Sequence, residues 1–325
     1  MTTLSPPQTE INSVIALYSN GQIQEALGAV ETLIKSYPNE PLLYNISGVC
    51  YKAIGKLDEA IKSFEKALTI KSDYAEVHYN LGVTLNELGQ LDAAVNSYEK
   101  ALAIKPDYAN ACNNLGNALK DLGQLDSAIK YYNKALAIKP DYAEAHNNLG
   151  NALKDLGQLD AAIKSFEKAL AIKPGYADAH NNLGNALNNL GQLDAAIKSF
   201  EKALAIKPGY AEAHNNLGST LNELGQLDAA VNSYEQALAI KPDFAEAHNN
   251  LGNTLRDLNQ LDASFKSFEK ALAIKPDYAE AHNNLGNTLK ELGQLDTAIK
   301  SYEKALAIKP DFAEAHNNLG VTLQE

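Results

Sequence analysis

A segment of 34 residues repeats almost unchanged along the chain, and this period limits the folds that the sequence can adopt. It is clearest at residues 143–176, AEAHNNLGNALKDLGQLDAAIKSFEKALAIKPGY. A fixed period of this size indicates a stack of identical supersecondary units rather than one globular core. After a disordered segment 1–6, we predict one repeat domain over residues 7–325. Its units are 7–40, 41–74, 75–108, 109–142, 143–176, 177–210, 211–244, 245–278, 279–312 and a terminal helix 313–325.

Each repeat contains a first apolar stripe at helical spacing. With Ala143 as position 1, positions 3, 4, 7, 8, 10, 11 and 14 are apolar or small, which predicts helix A. Asp141 and Glu144 have the spacing of a capping box at its start. Gly157 is expected to end helix A, because glycine enters the left-handed conformation without steric cost.

A second stripe predicts helix B. Leu159, Ala162 and Phe166 lie on its apolar face, and Pro174 prevents its continuation. The two helices form a hairpin with a three-residue turn. One repeat departs from the pattern, since Asn259 replaces the turn glycine and Ser264 replaces the small residue at position 20. We expect this repeat to be the most loosely packed of the interior repeats.

Several positions recur from unit to unit: Leu-Gly at 7 and 8, Ala at 20 and 27, an aromatic residue at 24 and Pro at 32. Together with a bulky residue at position 4, this pattern resembles the tetratricopeptide repeat over residues 7–325. The resemblance implies an all-α fold, a right-handed α-solenoid superhelix of tandem helix-turn-helix repeats. Its groove is expected to bind proteins.

Composition and charge exclude several functional classes. A formal net charge of −12 argues against a nucleic-acid partner, because phosphate binding requires clustered Lys and Arg. No apolar run is long enough to predict a membrane span. The first ten residues lack the features of a secretory signal, so we expect a cytoplasmic protein. Cys50 and Cys112 occupy different repeat positions and suggest neither a disulfide nor a metal site.

A row of histidines invites a metal hypothesis. Position 4 holds His78, His146, His180, His214, His248, His282 and His316. Equivalent atoms on neighbouring helices would lie about 10 Å apart, too far for one ion that needs bonds of about 2 Å. We therefore expect a structural role, with position 4 buried, and no metal or other cofactor. No nucleophile with a nearby base is visible either, so we predict that the chain has no catalytic site.

Asparagines fill the predicted exposed face of helix A. Positions 5, 6 and 9 are Asn in five repeats: Asn113, Asn114 and Asn117; Asn147, Asn148 and Asn151; Asn181, Asn182 and Asn185; Asn249, Asn250 and Asn253; Asn283, Asn284 and Asn287. Asn is a mediocre helix former, so Ala in its place should preserve or raise stability. The rows are either a neutral choice copied by duplication or a set of amides that binds peptide backbone.

The asparagine row and the phrase AEAHNNLGNAL resemble the repeat arm of O-linked N-acetylglucosamine transferases. By that resemblance, position-6 asparagines hold the main chain of a bound segment. The matching residues are Asn80, Asn114, Asn148, Asn182, Asn216, Asn250, Asn284 and Asn318. Asn12 is an outlier, and Ile46 interrupts the row.

These observations favour a protein-interaction scaffold that binds extended peptides or disordered segments in the helix-A groove. The alternative is the substrate-recruiting arm of a larger, glycosyltransferase-like enzyme whose catalytic domain lies beyond residue 325. Leu319 and Leu323 give the terminal helix an apolar stripe, from which we expect self-association at high concentration.

Overall fold

All regular secondary structure in the described part of the chain is α-helical. A computed structural model describes residues 5–324, which contain nineteen helices. Residues 1–4 of the predicted disordered segment lie outside this range, as does Glu325 of the predicted terminal helix.

The helices fall into two compact units, which divide between Ile172 and Lys173. The N-terminal unit contains α1 (Gln8–Ser19), α2 (Ile23–Ser36), α3 (Pro41–Ala53), α4 (Leu57–Ile70), α5 (Ala75–Glu87), α6 (Leu91–Ile104), α7 (Ala109–Asp121), α8 (Leu125–Ile138), α9 (Ala143–Asp155) and α10 (Leu159–Ile172). The C-terminal unit contains α11 (Ala177–Asn189), α12 (Leu193–Ile206), α13 (Ala211–Glu223), α14 (Leu227–Ile240), α15 (Ala245–Asp257), α16 (Leu261–Ile274), α17 (Ala279–Glu291), α18 (Leu295–Ile308) and α19 (Ala313–Thr322).

The order of packing is the same in each unit. Odd-numbered helices are helices A and even-numbered helices are helices B. Each helix B packs against the helix A before it and, within its unit, against the helix A that follows. Consecutive helices A of one unit also touch each other. This arrangement confirms the predicted all-α solenoid of tandem hairpins.

A glycine and an aromatic ring set the distance between the helices of a hairpin. Phe166 at position 24 is fully buried, together with Ala162 and Ala169. A Cβ atom added to Gly150 would lie 2.6 Å from the Cε1 atom of Phe166. Only glycine therefore fits at this position without displacing the ring. Burial of such an aromatic side chain stabilises the fold by about 2–3 kcal/mol.

The turn between the helices depends on a left-handed glycine. Gly157 has φ 74°, and its amide donates to the carbonyl of Lys154 at 2.8 Å. The Gln158 amide donates to the carbonyl of Leu153 at 2.9 Å. This pair of bonds is a Schellman motif, which satisfies carbonyl groups that the end of a helix leaves free. The predicted stop signal of helix A is confirmed.

The predicted capping box is wrong by one residue. Helix α9 begins at Ala143, so Tyr142 is the N-cap residue and forms no side-chain cap. Asp141 consequently lies before the N-cap and Glu144 is the second helical residue, which breaks the spacing that a capping box requires. Glu144 still carries negative charge in the first turn, where the helix dipole favours it.

The repeat with altered residues is well packed at its core. Ser264 is fully buried, and its hydroxyl donates to the carbonyl of Gly252 at 2.8 Å and lies 3.1 Å from the Thr288 hydroxyl. Asn259 replaces the turn glycine at φ 59°, in the left-handed region that asparagine tolerates better than most side chains. The loose packing predicted for this repeat is not found at Ser264.

Candidate peptide-binding face

The predicted peptide-binding asparagines lie on the helices A, at positions 6 and 9. The position-6 residues are half-buried: Asn80, Asn114, Asn148, Asn182, Asn216, Asn250, Asn284 and Asn318. The position-9 residues are also half-buried: Asn117, Asn151, Asn185, Asn253 and Asn287. We call the partly exposed surface formed by these two positions the helix-A face.

The prediction that position 5 shares this exposed face is wrong. Asn317 on the last helix A is exposed, but the other position-5 asparagines are only 1–6% exposed: Asn45, Asn113, Asn147, Asn181, Asn215, Asn249 and Asn283. The reason is visible at Asn113 on α7, because the next helix A, α9, packs beside it and brings Asn148 into contact. A buried amide requires a hydrogen-bond partner, and the neighbouring repeat supplies it.

The partner is the position-6 asparagine of the next repeat. Asn148 donates from Nδ2 to Oδ1 of Asn113 at 3.1 Å. The same bond joins Asn80 to Asn45 (2.9 Å), Asn216 to Asn181 (3.0 Å), Asn250 to Asn215 (3.2 Å), Asn284 to Asn249 (3.1 Å) and Asn318 to Asn283 (3.0 Å). Where position 5 is Tyr79, Asn114 donates to its hydroxyl at 3.1 Å. We call these bonds the asparagine ladder.

The ladder bond uses only part of the hydrogen-bonding capacity of the Asn148 amide. A primary amide has two N–H groups and an oxygen with two lone pairs. The ladder bond of Asn148 uses one N–H group of that side chain. The asparagines of the ladder are therefore structural cross-links between neighbouring repeats.

The hydrogen bond accepted by the position-9 asparagine depends on which aromatic residue lies at position 24. The hydroxyl of Tyr132 donates to Oδ1 of Asn117 at 2.8 Å, and that of Tyr302 donates to Oδ1 of Asn287 at 2.9 Å. Phe268 has no hydroxyl to offer, and Oδ1 of Asn253 is buried without a hydrogen-bond partner.

The N-terminal unit contains an opening of mixed polar and apolar lining that was not predicted. Position 9 is Val49 in one repeat and Val83 in the next, and these side chains line a cavity of about 320 Å³ together with Tyr18 and Phe64. The sequence signal was present, because valine replaces the asparagine found at this position in five other repeats. Asn is the commonest residue at position 9, and a repeat consensus conceals the exceptions to it.

Charged residues at positions 12 and 13, near the end of helix A, form several ion pairs. Lys120 lies 3.6 Å from Asp121, and the equivalent Lys154–Asp155 distance is 3.7 Å. Arg256 forms contacts of 3.7 Å and 3.8 Å with Asp257 and Glu291. Partly exposed pairs of this kind contribute little to stability.

The position-4 histidines connect each repeat to the loop before it. Nε2 of His146 lies 3.1 Å from the carbonyl oxygen of Pro140. A carbonyl can only accept, so Nε2 carries the proton and Nδ1 is left as a buried acceptor without a partner. Burial lowers the pKa of His146, and the positive charge of Lys168 adds to this effect. His180, His248 and His282 share the bond and the lowered pKa. His214 and His316, by contrast, are not buried.

Neither cysteine belongs to a reactive site. Cys50 and Cys112 are free and buried, and burial raises the pKa of the Cys50 thiol to about 11. Within residues 5–324, no group of three or more His, Cys, Asp or Glu side chains is arranged to hold a metal ion. None of the helices described is both long and apolar enough to cross a membrane.

Protein-family comparisons match most of the chain. A family described as "TPR repeat" matches residues 48–86, 84–123, 116–157, 150–191, 218–255, 252–293 and 286–325. Families described as "Tetratricopeptide repeat" match residues 177–210 and 199–232. No curated protein matches the sequence.

Solved structures share the fold. A chain from the crystal structure of the APC/C hetero-tetramer Cut9–Hcn1 is 18% identical with a TM-score of 0.64, and the match covers 92% of this chain and 59% of that one. This likeness shows the fold alone. MamA is 31% identical over 51% of this chain and 97% of its own, with a TM-score of 0.47. YrrB, described as a TPR protein with an unusual peptide-binding site, is 27% identical over 57% of this chain and 96% of its own, with a TM-score of 0.47.

Proposed function

The chain belongs to the tetratricopeptide repeat family, and we propose that it is a scaffold that binds extended peptides or disordered protein segments on its helix-A face. The observation that carries this proposal is the row of half-buried amides at positions 6 and 9, repeated at 34-residue intervals. An extended peptide has backbone donors and acceptors without partners, and an amide side chain can pair with either.

The expected affinity is moderate and depends weakly on sequence. Each net hydrogen bond contributes about 1 kcal/mol, so several repeats acting together reach micromolar binding, near −8 kcal/mol. Glu76, Glu246 and Glu280 at position 2 are exposed at the start of their helices A. We therefore expect neutral or basic segments to bind better than acidic ones.

The test replaces amides at position 9, where the chain itself provides a smaller substitute. Ser219 occupies this position in one repeat, so Asn117, Asn151, Asn185 and Asn253 changed to Ser should preserve the fold. Binding of a panel of unstructured peptides, measured by calorimetry, should weaken at least tenfold. A control variant carries the exposed helix-B substitution Asn96→Ser. Equal binding by the parent and the fourfold variant would contradict the proposal.

A second proposal is that these repeats form the substrate-recruiting arm of a larger enzyme, similar to O-linked N-acetylglucosamine transferases. The asparagine row with the phrase AEAHNNLGNAL favours it. The length of the natural open reading frame tests it, since a glycosyltransferase-like domain must follow residue 325. We propose a cytoplasmic location for either function.

A further inference from the structure

The helix-A face of the N-terminal unit changes from apolar to polar along the chain. Position 9 is Ile15 in the first repeat, Val49 in the second and Val83 in the third, and it is Asn in the fourth and fifth repeats. Ile15 is 45% exposed, and both valines are half-exposed. An apolar group left in water at three successive equivalent positions loses the stabilisation that burial would provide.

The two valines and neighbouring side chains line a cavity. Phe64 is fully buried and forms its base, while Val49, Val83 and Tyr18 form its sides. The volume of about 320 Å³ is at the lower end of the range for ligand pockets. It is large enough for one bulky side chain with a short length of backbone.

Polar side chains line the cavity beside its apolar ones. Nζ of Lys52 and Oε1 of Glu87 are 2.8 Å apart, so the only lysine that lines it is neutralised. Asn80 also lines the cavity, and its Nδ2 atom donates to Asn45 at 2.9 Å. The second N–H group of Asn80 is suited to a backbone carbonyl of a bound segment.

Negative charge lies at one end of the same helical surface. Glu76, Asn80 and Val83 are spaced by four and three residues on α5, so they share one side of the helix. Glu76 is exposed, and its charge reaches Tyr108, whose pKa is raised to about 12 by burial, by Tyr79 and by Glu76. Seven helical residues separate Glu76 from Val83 by about 10 Å, the length of about three extended residues.

We infer that this cavity binds a large apolar side chain of an extended segment that has Arg or Lys three residues away, towards Glu76. The inference rests on the proposed function, because the amides hold the backbone of the same segment. The cavity supplies the side-chain preference that the amide rows lack. The N-terminal unit thus selects a partner with an apolar and basic motif.

The experiment uses fluorescent nonapeptides with blocked ends and a Gly/Ser background. One probe carries Leu at the centre and Arg three residues away, a second replaces Leu with Ala, and a third replaces Arg with Glu. Fluorescence polarisation should show at least tenfold tighter binding of the first probe by the full chain. A second set of probes places Arg on the other side of Leu, so that both directions of the peptide are tested.

The decisive variant combines Val49→Asn and Val83→Asn, which installs the residue of the later repeats and should therefore fold. It should bind the Leu and Ala probes within threefold of each other, while the helix-B control Asn96→Ser leaves the preference for Leu unchanged. Glu76→Gln should reduce the preference for Arg over Glu.

The other outcomes distinguish failure of the cavity inference from failure of the scaffold proposal. If the double valine variant keeps the Leu preference, the cavity is not the site. If the parent binds all three probes equally, the inference fails and the scaffold proposal survives. If the parent binds neither these probes nor the unstructured panel, both fail.

Discussion

At the scale of single residues, position 4 shows how one contact can be made by different side chains. His146 donates from Nε2 to the carbonyl of Pro140, whereas Tyr44 at the same position donates from its hydroxyl to the carbonyl of Pro38 at 3.0 Å. Both residues connect helix A to the preceding loop. The two residues differ in their titration: histidine changes charge near neutral pH, and tyrosine does not.

This difference predicts a loss of stability in mild acid. The folded pKa of four buried histidines, His146, His180, His248 and His282, is below the unfolded value of about 6.5, so the unfolded chain binds more protons as pH falls. Their full contribution is present above that value and is lost below it. The melting temperature should therefore fall between pH 7.5 and 5.5.

The matched control changes His146, His180, His248 and His282 to Tyr, which keeps a donor for each carbonyl. Its melting temperature should depend less on pH over the same interval. If the melting temperature changes equally with pH in the parent and the control, groups other than these histidines cause the acid sensitivity.

At the scale of helices, the asparagine ladder reverses an expectation drawn from helix propensity. Asn at positions 5 and 6 weakens an isolated helix, but in the hairpin stack it satisfies a buried amide on the neighbouring repeat. The sequence predicted the helices and their apolar stripes from the 3.6-residue period. It could not predict that residue i pairs with residue i+35, because that contact depends on how two helices A are rotated against each other.

The ladder predicts that Asn148→Ala destabilises the N-terminal unit. Ala gains about 0.5 kcal/mol of helix propensity, but the buried Oδ1 of Asn113 loses its donor at a penalty of about 1–3 kcal/mol. Denaturation by urea should show a net loss of about 1 kcal/mol. Asn96→Ala, at an exposed site within α6, should instead be neutral or stabilising.

A double-mutant cycle tests the origin of the effect. The double variant Asn113→Ala, Asn148→Ala should lose less free energy of unfolding than the sum of the two single variants. The reason is that either single change already breaks the bond between the two amides. Additive losses would mean that the two amides act independently.

At the scale of whole units, the fold was more predictable than the binding face. The 34-residue period, the turn residue Gly157 and the pairing of Gly150 with Phe166 each determine a local geometry that repeats identically. Binding depends instead on departures from the repeat, such as Val49 and Val83. A consensus describes what the repeats share, so it cannot show where one of them has become different.

Because each repeat contacts only its neighbours, damage to one repeat should spread over a short distance. Gly116→Ala in α7 places a Cβ 2.6 Å from Cε1 of Tyr132, and such overpacking costs about 1–3 kcal/mol. Gly28→Ala in α2 meets no atom within 4 Å and should stabilise its helix by about 1 kcal/mol.

Hydrogen exchange followed along the chain distinguishes local from global opening within the N-terminal unit. Gly116→Ala should speed exchange in α7 and α8 and, to a smaller extent, in α6 and α9, while α1 and α2 keep the protection of the parent. Gly28→Ala should slow exchange in α2 and leave α7 and α8 unchanged. If Gly116→Ala raises exchange equally from α1 to α10, the unit opens as one cooperative block, and its stability is not a sum of contacts between neighbouring repeats.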